Sequence, residues 1–187
     1  AYRKGVEAKP EYLAGHAAIM RQLLAENQLD AAASELATIK QFAPNHPQTN
    51  YLAAMLAYQK KDYPAARDAI LLTLRVSPEN PLALQLAGLI EYEMQAYPQA
   101  EAYLLKALPR TPENGIARRA LIASYLRSGQ PGRALHIIEP VLDKIDKDSN
   151  MLALAGQVFI QNGQVDKAGT YFAKAAALDP KNTGKRT

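Results

Sequence analysis

The sequence predicts an all-α protein, an α-solenoid built from tandem helix–turn–helix units of 34 residues. Three observations predict this fold: proline recurs at a fixed interval, alanine recurs at one position of every unit, and apolar residues follow helical spacing in between. The chain has 187 residues, of which 48% are hydrophobic, so it has enough apolar surface to bury a core. In a repeat array that core forms between neighbouring units rather than around one centre.

The prolines define the period. They recur at spacings of 34, 34, 34 and 68 residues, with Asp146 in the one empty slot, at Pro10, Pro44, Pro78, Pro112 and Pro180. Proline lacks the N–H that an extending helix needs, and the Asn and Gly residues nearby favour turns, so one helix ends here and another begins. This register predicts five full units, 13–46, 47–80, 81–114, 115–148 and 149–182. Residues 1–12 are predicted to be the tail of a truncated preceding unit, and 183–187 the start of a following segment.

Small residues recur where helices must cross closely. The twentieth position of every unit is alanine, at Ala32, Ala66, Ala100, Ala134 and Ala168. A larger side chain there would overpack the crossing at a cost of about 1–3 kcal/mol. The eighth position is small at Ala54, Gly88 and Gly156 but large at Met20 and Ile122. We therefore expect wider helix packing in the first and fourth units.

Helical periodicity places two helices in each unit. First helices are predicted near 13–27, 47–60, 81–94, 115–128 and 149–162. Second helices are predicted near 30–42, 63–76, 97–109, 131–145 and 165–178. Gly129 and Gly163 fall in the turn between the two helices, where glycine adopts a positive φ at little cost. Pro140 lies inside a second helix and is expected to kink it or to end it early.

Charge and composition exclude several classes of function. The chain has 22 Lys and Arg against 18 Asp and Glu, a net charge of +4 that is spread along the sequence and does not indicate a nucleic-acid partner. It has no cysteine, which excludes disulfides, thiolate catalysis and zinc–thiolate sites and is compatible with the cytosol, the periplasm or a cell surface. No apolar run approaches the roughly 20 residues that cross a bilayer, so we expect no membrane insertion of this segment.

Catalytic signatures are missing from the sequence. The three histidines, His16, His46 and His136, lie in different units, without a Glu or His at metal-ligand spacing. There is no glycine-rich phosphate loop and no Gly-x-Ser-x-Gly nucleophile turn. The sequence therefore predicts a protein that is not an enzyme and that has no cofactor or metal.

Taken together, these features resemble the tetratricopeptide repeat family. The resemblance covers about residues 10–182 and is carried by the unit length, the recurring alanine, the closing proline, the pairs Ala87-Gly88 and Ala155-Gly156, and Tyr125 and Phe159 at the eleventh position. The tryptophan usual early in the family's repeat is missing. The resemblance implies a right-handed superhelix whose inner surface is formed by the first helices.

A narrower resemblance is to the large repeat proteins of the PEP-CTERM/exosortase system of Gram-negative bacteria, the PrsT type. The segments that carry it are 29–47, 50–58, 62–67, 125–131 and 152–180. This resemblance implies a protein of the periplasm or cell envelope, lipid-anchored in its full-length form. It further implies an adaptor role linked to protein sorting and exopolysaccharide production.

The family resemblance places a partner-binding groove on positions 2, 5, 9, 12 and 13 of each unit. The residues that we select from these positions are Tyr51, Met55, Tyr58, Leu82, Gln85, Leu89, Tyr92, Arg119, Arg127 and Gln157. Tyrosine and methionine offer large contact areas with little loss of rotamer entropy, which favours a protein or peptide partner. The alternative is that these rings pack between neighbouring first helices and hold the curve of the array.

The two arginines allow two interpretations. Arg119 and Arg127 could bind a carboxylate of the partner. Alternatively, Glu93 and Arg127, which share the thirteenth position of adjacent units, form an ion pair between repeats. A surface pair of this kind contributes only about 0–1 kcal/mol to stability.

Two functions follow from these expectations. The first is a non-catalytic scaffold that binds a peptide or helix in the concave groove, in envelope protein sorting or exopolysaccharide production. The alternative is a regulatory or substrate-presenting arm of an envelope polysaccharide-assembly enzyme complex. RNA binding by helical repeats would require a concentrated basic surface, and the scattered charge argues against it.

Overall fold

The structure, a computed structural model, describes residues 11–179 and is all-helical over that range. It contains ten α-helices and two short 3-10 turns, and this part of the chain has no β-strand. The predicted all-α solenoid class is therefore confirmed. The predictions for residues 1–10 and 180–187 lie outside the described residues. Within the described range, no helix combines the length and the apolar character that crossing a membrane would need.

The chain divides into two compact units between Gln95 and Ala96. The first, here called the N-terminal unit, has five helices: α1 Leu13–Ala25, α2 Leu29–Phe42, α3 Pro47–Gln59, α4 Tyr63–Val76 and α5 Pro81–Glu93. Each helix packs against the next in the chain, and α3 also contacts both α1 and α5. The three first helices α1, α3 and α5 are thus neighbours within this unit.

The second, C-terminal unit repeats this pattern with one irregularity. Its helices are α6 Tyr97–Ala107, α7 Gly115–Arg127, α8 Pro131–Ile138, α9 Ser149–Gln161 and α10 Val165–Leu178. The two 3-10 turns are Leu108–Arg110 and Glu139–Val141. Helix α7 packs against α6, α8 and α9, and α9 packs against α8 and α10. The division between the units falls inside 81–114, and the boundaries of the five repeats remain a prediction.

Proline accounts for the largest differences between predicted and observed helices. Helix α8 ends at Ile138, seven residues before the predicted end at 145, and Pro140 sits in the 3-10 turn that follows. The expected early end is therefore confirmed. Helix α6 ends at Ala107 rather than at 109, because Pro109 lies in the 3-10 turn Leu108–Arg110 and has no N–H for a continuing helix. The other helix ends agree with the predictions to within two residues.

The turns after the prolines end in residues that cap the next helix. The Asn80 side chain accepts hydrogen bonds from the backbone N–H groups of Leu82 and Ala83 at the start of α5. Asn114 caps α7 in the same way, and Asp148 accepts from the backbone N–H at the start of α9. Capping of this kind stabilises a helix by about 1 kcal/mol. The Pro-x-Asn sequence therefore ends one helix and starts the next.

In the turn between the two helices of each unit, the residue at the fifteenth position of the unit has a left-handed backbone conformation. Gly129 and Gly163 have φ values of 70° and 75°, which confirms the prediction for both glycines. The equivalent residues Asn27, Lys61 and Gln95 have φ values of 56°, 60° and 60°. A residue other than glycine is strained in this conformation by roughly 1–2 kcal/mol. The same turn therefore recurs even where the sequence supplies no glycine.

The recurring alanines lie in the core. All five are at most 1% exposed, so the prediction that they face neighbouring helices rather than water is confirmed. The pairs α3–α4 and α9–α10, with a small eighth residue, stay close over more of their length than α1–α2 and α7–α8, which carry Met20 and Ile122. This difference agrees with the wider packing expected for the first and fourth units, although the shortness of α8 contributes in the fourth.

A buried ion pair joins α4 to α5. Glu91 is 3% exposed, and its two carboxylate oxygens accept hydrogen bonds of 2.7 Å from Nε and Nη2 of Arg67. The sequence places Glu91 on the packing face of its helix but does not reveal its partner. An unpaired carboxylate at this depth would be strongly destabilising, so the arginine is what allows it there.

Gly156 provides the closest contact between α9 and α10. A Cβ atom added at Gly156 would lie 2.6 Å from Cε1 of Phe172, closer than real Cβ atoms approach other atoms. Gly169, on α10, has open space around the same position. The ring of Phe172 therefore occupies the volume that any side chain at 156 would need.

We predict opposite effects for alanine at these two glycines. Gly169→Ala should raise the free energy of unfolding by about 1 kcal/mol, because alanine favours a helix over glycine by that amount. The free energy of unfolding of Gly156→Ala should be lower than that of Gly169→Ala by about 1–3 kcal/mol, which is the cost of overpacking. Urea denaturation of both variants measures the difference. In a Phe172→Ala background the difference should disappear, and its persistence there would contradict this account.

Candidate functional site

Two neighbouring helix faces carry most of the predicted groove residues. Tyr51, Met55 and Tyr58 are spaced by four and three residues and so share one face of α3. The predicted residues of α5 are spaced likewise and are Leu82, Gln85, Leu89 and Tyr92. Because α3 contacts α5, these two faces lie side by side, and we call the seven residues the α3–α5 surface. Leu82 is 54% exposed, and the other six are partly buried.

A cavity of about 420 Å³ opens at one end of this surface. Its lining residues are Arg21, His46, Pro47, Gln48, Tyr51, Thr73, Ser77, Asn80 and Leu82. They come from α1, from the starts of α3 and α5, and from the end of α4. Tyr51 and Leu82, which are 31 positions apart in the sequence, thus line the same cavity.

Arg21 gives the cavity a positive charge. It is the one charged residue in the lining within the described chain, and the other polar groups are amides, hydroxyls and an imidazole. Helices α3 and α5 begin at the edge of the cavity and α4 ends there, so the helix dipoles add partial charges of both signs. Burial raises the pKa of the Tyr51 phenol, and the nearby Arg21 guanidinium partly opposes that rise. The cavity therefore favours groups that carry negative charge or accept hydrogen bonds.

The middle of the surface is partly used for packing. Met55 packs against the hydrophobic core formed by α1, α2 and α3, which includes Met20 and Leu24. Some residues of this face thus pack against the core, and others are open to solvent. Met55 supports the curve of the helices, whereas Tyr51 and Leu82 border open space.

An aromatic pair and a carboxylate lie at the other end of the surface. The Tyr58 and Tyr63 ring centroids are 5.8 Å apart, with the rings tilted by 57°. The Tyr63 hydroxyl donates a hydrogen bond of 3.4 Å to Oε2 of Glu93. The sequence did not indicate Tyr63, because it begins the second helix of its unit and the groove was expected on first helices alone. Its position five residues after Tyr58, across a tight turn, is the signal that could have identified it.

The ionisation of Tyr58 reflects this environment. Burial, the Glu93 carboxylate and the neighbouring Tyr63 together raise the pKa of the Tyr58 phenol from 10.0 to about 12. Burial is the largest of these causes. The fold therefore favours the neutral phenol, and a negative potential surrounds its ring.

The remaining predicted residues belong to the C-terminal unit. Nη1 of Arg119 lies 3.0 Å from Oδ2 of Asp148, the residue that caps α9, so this arginine has an internal carboxylate partner. Arg127 is exposed, and Gln157 is partly buried. The pairing of Arg127 with Glu93 stays a prediction, as does a single groove through all ten residues.

Two of the three histidines, His16 and His46, have structural partners. Nδ1 of His16, a buried residue, lies 2.6 Å from Oε1 of Glu35, a residue 19 positions away and beyond the spacing that the sequence pattern tests. Nδ1 of His46 accepts a hydrogen bond from the backbone N–H of Gln48 and so caps α3. From residue 11 to residue 179, no three His, Cys, Asp or Glu side chains are grouped so as to hold a metal ion.

Comparison with known families identifies the repeat. Residues 18–81 and 116–183 match the family described as tetratricopeptide repeat. Together the two matches cover more than half of the chain, and each spans helices from consecutive 34-residue periods. Among curated proteins, none matches the sequence.

Solved structures of low sequence identity share the fold. YrrB, described as a TPR protein with an unusual peptide-binding site, is 20% identical with a TM-score of 0.75, covering 98% of this chain and 94% of YrrB. PilF of Pseudomonas aeruginosa is 18% identical with a TM-score of 0.79, covering 96% of this chain and 82% of PilF. A MamA fragment from Desulfovibrio magneticus RS-1 is 16% identical with a TM-score of 0.76, covering 91% and 96% of the two chains. At these identities the likeness shows the fold alone.

We predict a specific effect of alkaline pH through Tyr58. Because its folded-state pKa is raised, the stabilisation by the neutral phenol is complete below pH 10 and is lost as the pH rises towards about 12. The free energy of unfolding of the wild type should therefore fall more steeply than that of Tyr58→Phe across this window. Urea denaturation of both proteins at several pH values measures the two slopes. Between pH 7 and 9 the two curves should run parallel, and equal slopes above pH 10 would contradict the assignment.

Proposed function

Since the chain belongs to the tetratricopeptide repeat family, we propose that it is a non-catalytic scaffold that binds a peptide or helix of a protein partner. The observation that carries this proposal is the α3–α5 surface, where Tyr51 and Leu82, from two neighbouring helices, line one open cavity. Proteins of this family are generally non-catalytic scaffolds, which supports the same class of function.

The chemistry of the surface suits an extended or helical segment. Tyr51 and Leu82 present aromatic and aliphatic area beside the cavity, and apolar area of this kind releases water when a partner covers it. Tyrosine is enriched among residues that dominate binding energy, because its large rigid ring loses little entropy on contact. The amides and hydroxyls of the cavity then offer hydrogen bonds to the backbone or polar side chains of a partner.

The comparison with YrrB supports a peptide as the class of ligand. That protein shares the fold and is described as having an unusual peptide-binding site. In the present chain, the distinguishing feature is the cavity between the starts of α3 and α5, with Arg21 at its edge. We place the main contacts of the partner there and along Tyr58, Leu89 and Tyr92.

The narrower resemblance to PEP-CTERM/exosortase repeat proteins supports a more specific setting. We propose that the full-length protein acts in the bacterial envelope, in protein sorting or exopolysaccharide production. The segments that carry this resemblance include 50–58 and 62–67, which form most of α3 and the start of α4. The proposed setting and the proposed surface therefore concern the same part of the chain.

A binding experiment tests the proposed surface. Peptides are selected from a random 12-residue display library on the wild-type protein, and the dissociation constants of synthetic copies are measured by fluorescence anisotropy. Leu82→Ala should weaken binding about tenfold or more, a loss of at least about 1.4 kcal/mol, as expected for a central contact. Tyr51→Ala should have a similar effect.

Leu72→Ala is the matched control for this experiment. Leu72 lies on α4 and is 43% exposed, so the same substitution removes a similar side chain from outside the surface. Its dissociation constants should stay within twofold of the wild type, and circular dichroism should show all three variants folded. Selected peptides that bind Leu82→Ala and Tyr51→Ala as tightly as the wild type would disprove the proposed surface.

Cell fractionation tests the proposed setting. An antibody raised against this chain should detect the full-length protein of the source bacterium in the envelope or periplasmic fraction. Cross-linking in those cells should recover protein partners of the full-length protein. Cells that carry a Leu82→Ala copy of the gene should yield fewer of these partners, because the substitution alters the α3–α5 surface. A full-length protein found wholly in the cytosolic fraction would contradict the envelope role while leaving the peptide-binding proposal intact.

A further inference from the structure

The aromatic cluster at the far end of the α3–α5 surface has features that the binding of an apolar segment does not need. Tyr58, Tyr63 and Glu93 come from three different helices, and the carboxylate accepts a hydrogen bond from a neutral phenol. The rings are partly buried, and the Glu93 side chain is exposed. Two tyrosine side chains thus adjoin a carboxylate that solvent can reach.

Nearby cations do not explain this carboxylate. Arg67, on α4, forms both of its short hydrogen bonds with Glu91 rather than with Glu93. Lys60 and Lys61 are exposed in the turn after α3. Helices α3 and α5 both end at this cluster, with Gln59 and Glu93 as their last residues, and α4 begins there with Tyr63, so the helix dipoles add partial charges of both signs and the Glu93 carboxylate supplies the full negative charge.

The C-terminal unit shows what such a cluster attracts. There, the guanidinium carbon of Arg133 lies 4.3 Å from the centre of the Tyr125 ring, and its Nη1 lies 3.1 Å from Oε2 of Glu101. A tyrosine ring and a glutamate carboxylate thus hold one cation between them. Cations within about 6 Å of a tyrosine ring centre are attracted by the negative charge of its face.

The causes of the pKa shifts differ between Tyr125, whose cluster contains Arg133, and Tyr58. At Tyr125, burial and Glu101 raise the pKa, and the bound Arg133 opposes them. At Tyr58, burial, Glu93 and Tyr63 all raise the pKa, to about 12. The difference is that the Tyr125 cluster contains a cation that lowers the pKa, whereas the charged and polar neighbours named at Tyr58 only raise it.

We propose that Tyr58, Tyr63 and Glu93 form a recognition site for the cationic side chain of a lysine or arginine in the bound partner. The proposal rests on the proposed function, since it names one chemical requirement of the peptide that the α3–α5 surface binds. The cation lies against the ring faces, as Arg133 lies against Tyr125, and its charge faces the Glu93 carboxylate. A partner segment therefore carries a basic residue where it passes the ends of α3 and α5.

The site can be probed without knowing the partner. Nα-acetyl-arginine methylamide is titrated into protein with 13C-labelled tyrosine rings, at constant ionic strength, and the ring signals of Tyr58 and Tyr63 are followed by NMR. Tyr58→Phe and Tyr63→Phe assign these signals. We expect saturable shifts at both rings, and no such shifts with Nα-acetyl-norleucine methylamide, which has a similar chain without the charge.

Glu93→Gln tests the carboxylate, and Glu113→Gln is its matched control, because Glu113 is an exposed glutamate of the C-terminal unit. Glu93→Gln should weaken binding of the arginine probe about two- to fivefold, the range for loss of an exposed ion pair while the cation–π contacts remain. Glu113→Gln should leave it unchanged. Equal shifts with the norleucine probe, or equal binding by the two glutamine variants, would overturn the proposal.

The same variants separate this proposal from the proposed function. If library peptides bind the wild type and lose affinity with Leu82→Ala, but not with Glu93→Gln, the surface binds peptides and the cationic site is wrong. If library peptides do not respond to Leu82→Ala or Tyr51→Ala while the arginine probe binds, the cluster binds cations and the proposed peptide surface is wrong.

Discussion

The two helices of each pair cross closely, so the side chains at the crossing must be small. This steric constraint governs the rest of the structure. The five buried alanines at the twentieth position meet it in all units. Gly156 meets it further, because the Phe172 ring rests where a Cβ atom would be. Since the alanines recur every 34 residues, a small side chain is available for a close crossing at the same position of each predicted unit. The first helices are thereby placed as neighbours, which is what puts Tyr51 beside Leu82.

Three buried polar side chains, His16, Glu91 and Glu101, are tolerated within the packing faces because each has a partner on another helix. Glu91 is bonded to Arg67, His16 lies against Glu35, and Glu101 is held by Arg133. Such pairs add little net stability, since the cost of removing two charges from water offsets much of their attraction. They do restrict which helices can be neighbours, because an exchanged neighbour would leave a carboxylate buried without a cation. The alanine spacing and the polar pairs thus favour the same arrangement.

Periodic features of the fold could be predicted from the sequence, and contacts formed by single side chains could not. The 34-residue interval located every helix, because proline and Asn–Gly turns act locally and their effect depends on few other residues. Pro140 was correctly expected to end α8, yet Pro109 shortened α6 unnoticed. The left-handed turn was predicted at Gly129 and missed at Lys61 and Gln95, since a lysine or glutamine carries no local signal for a positive φ.

In the candidate site, too, periodic features could be predicted and contacts of single side chains could not. The face shared by Tyr51, Met55 and Tyr58 follows from helical spacing, and seven of the ten predicted residues do lie on adjoining helices. Their separate roles depend on neighbours that the repeat does not specify. Met55 packs on the core, Tyr51 borders a cavity completed by Arg21, and Tyr58 adjoins a tyrosine from the following helix. The sequence offers Arg119 as a partner contact, which stays a prediction, but it does not reveal that Arg119 also pairs with Asp148, the cap of α9.

The ends of the α3–α5 surface have opposite electrostatic character, and both follow from the parallel alignment of its two helices. The starts of α3 and α5 border the cavity with Arg21, and their ends adjoin Glu93. Tyr51 and Tyr58 are seven residues apart on one helix, a distance of about 10 Å along its axis. An extended segment covers that distance with about three residues. A bound segment therefore meets positive potential at one end and negative potential about three residues away, and this asymmetry favours one of its two orientations along α3.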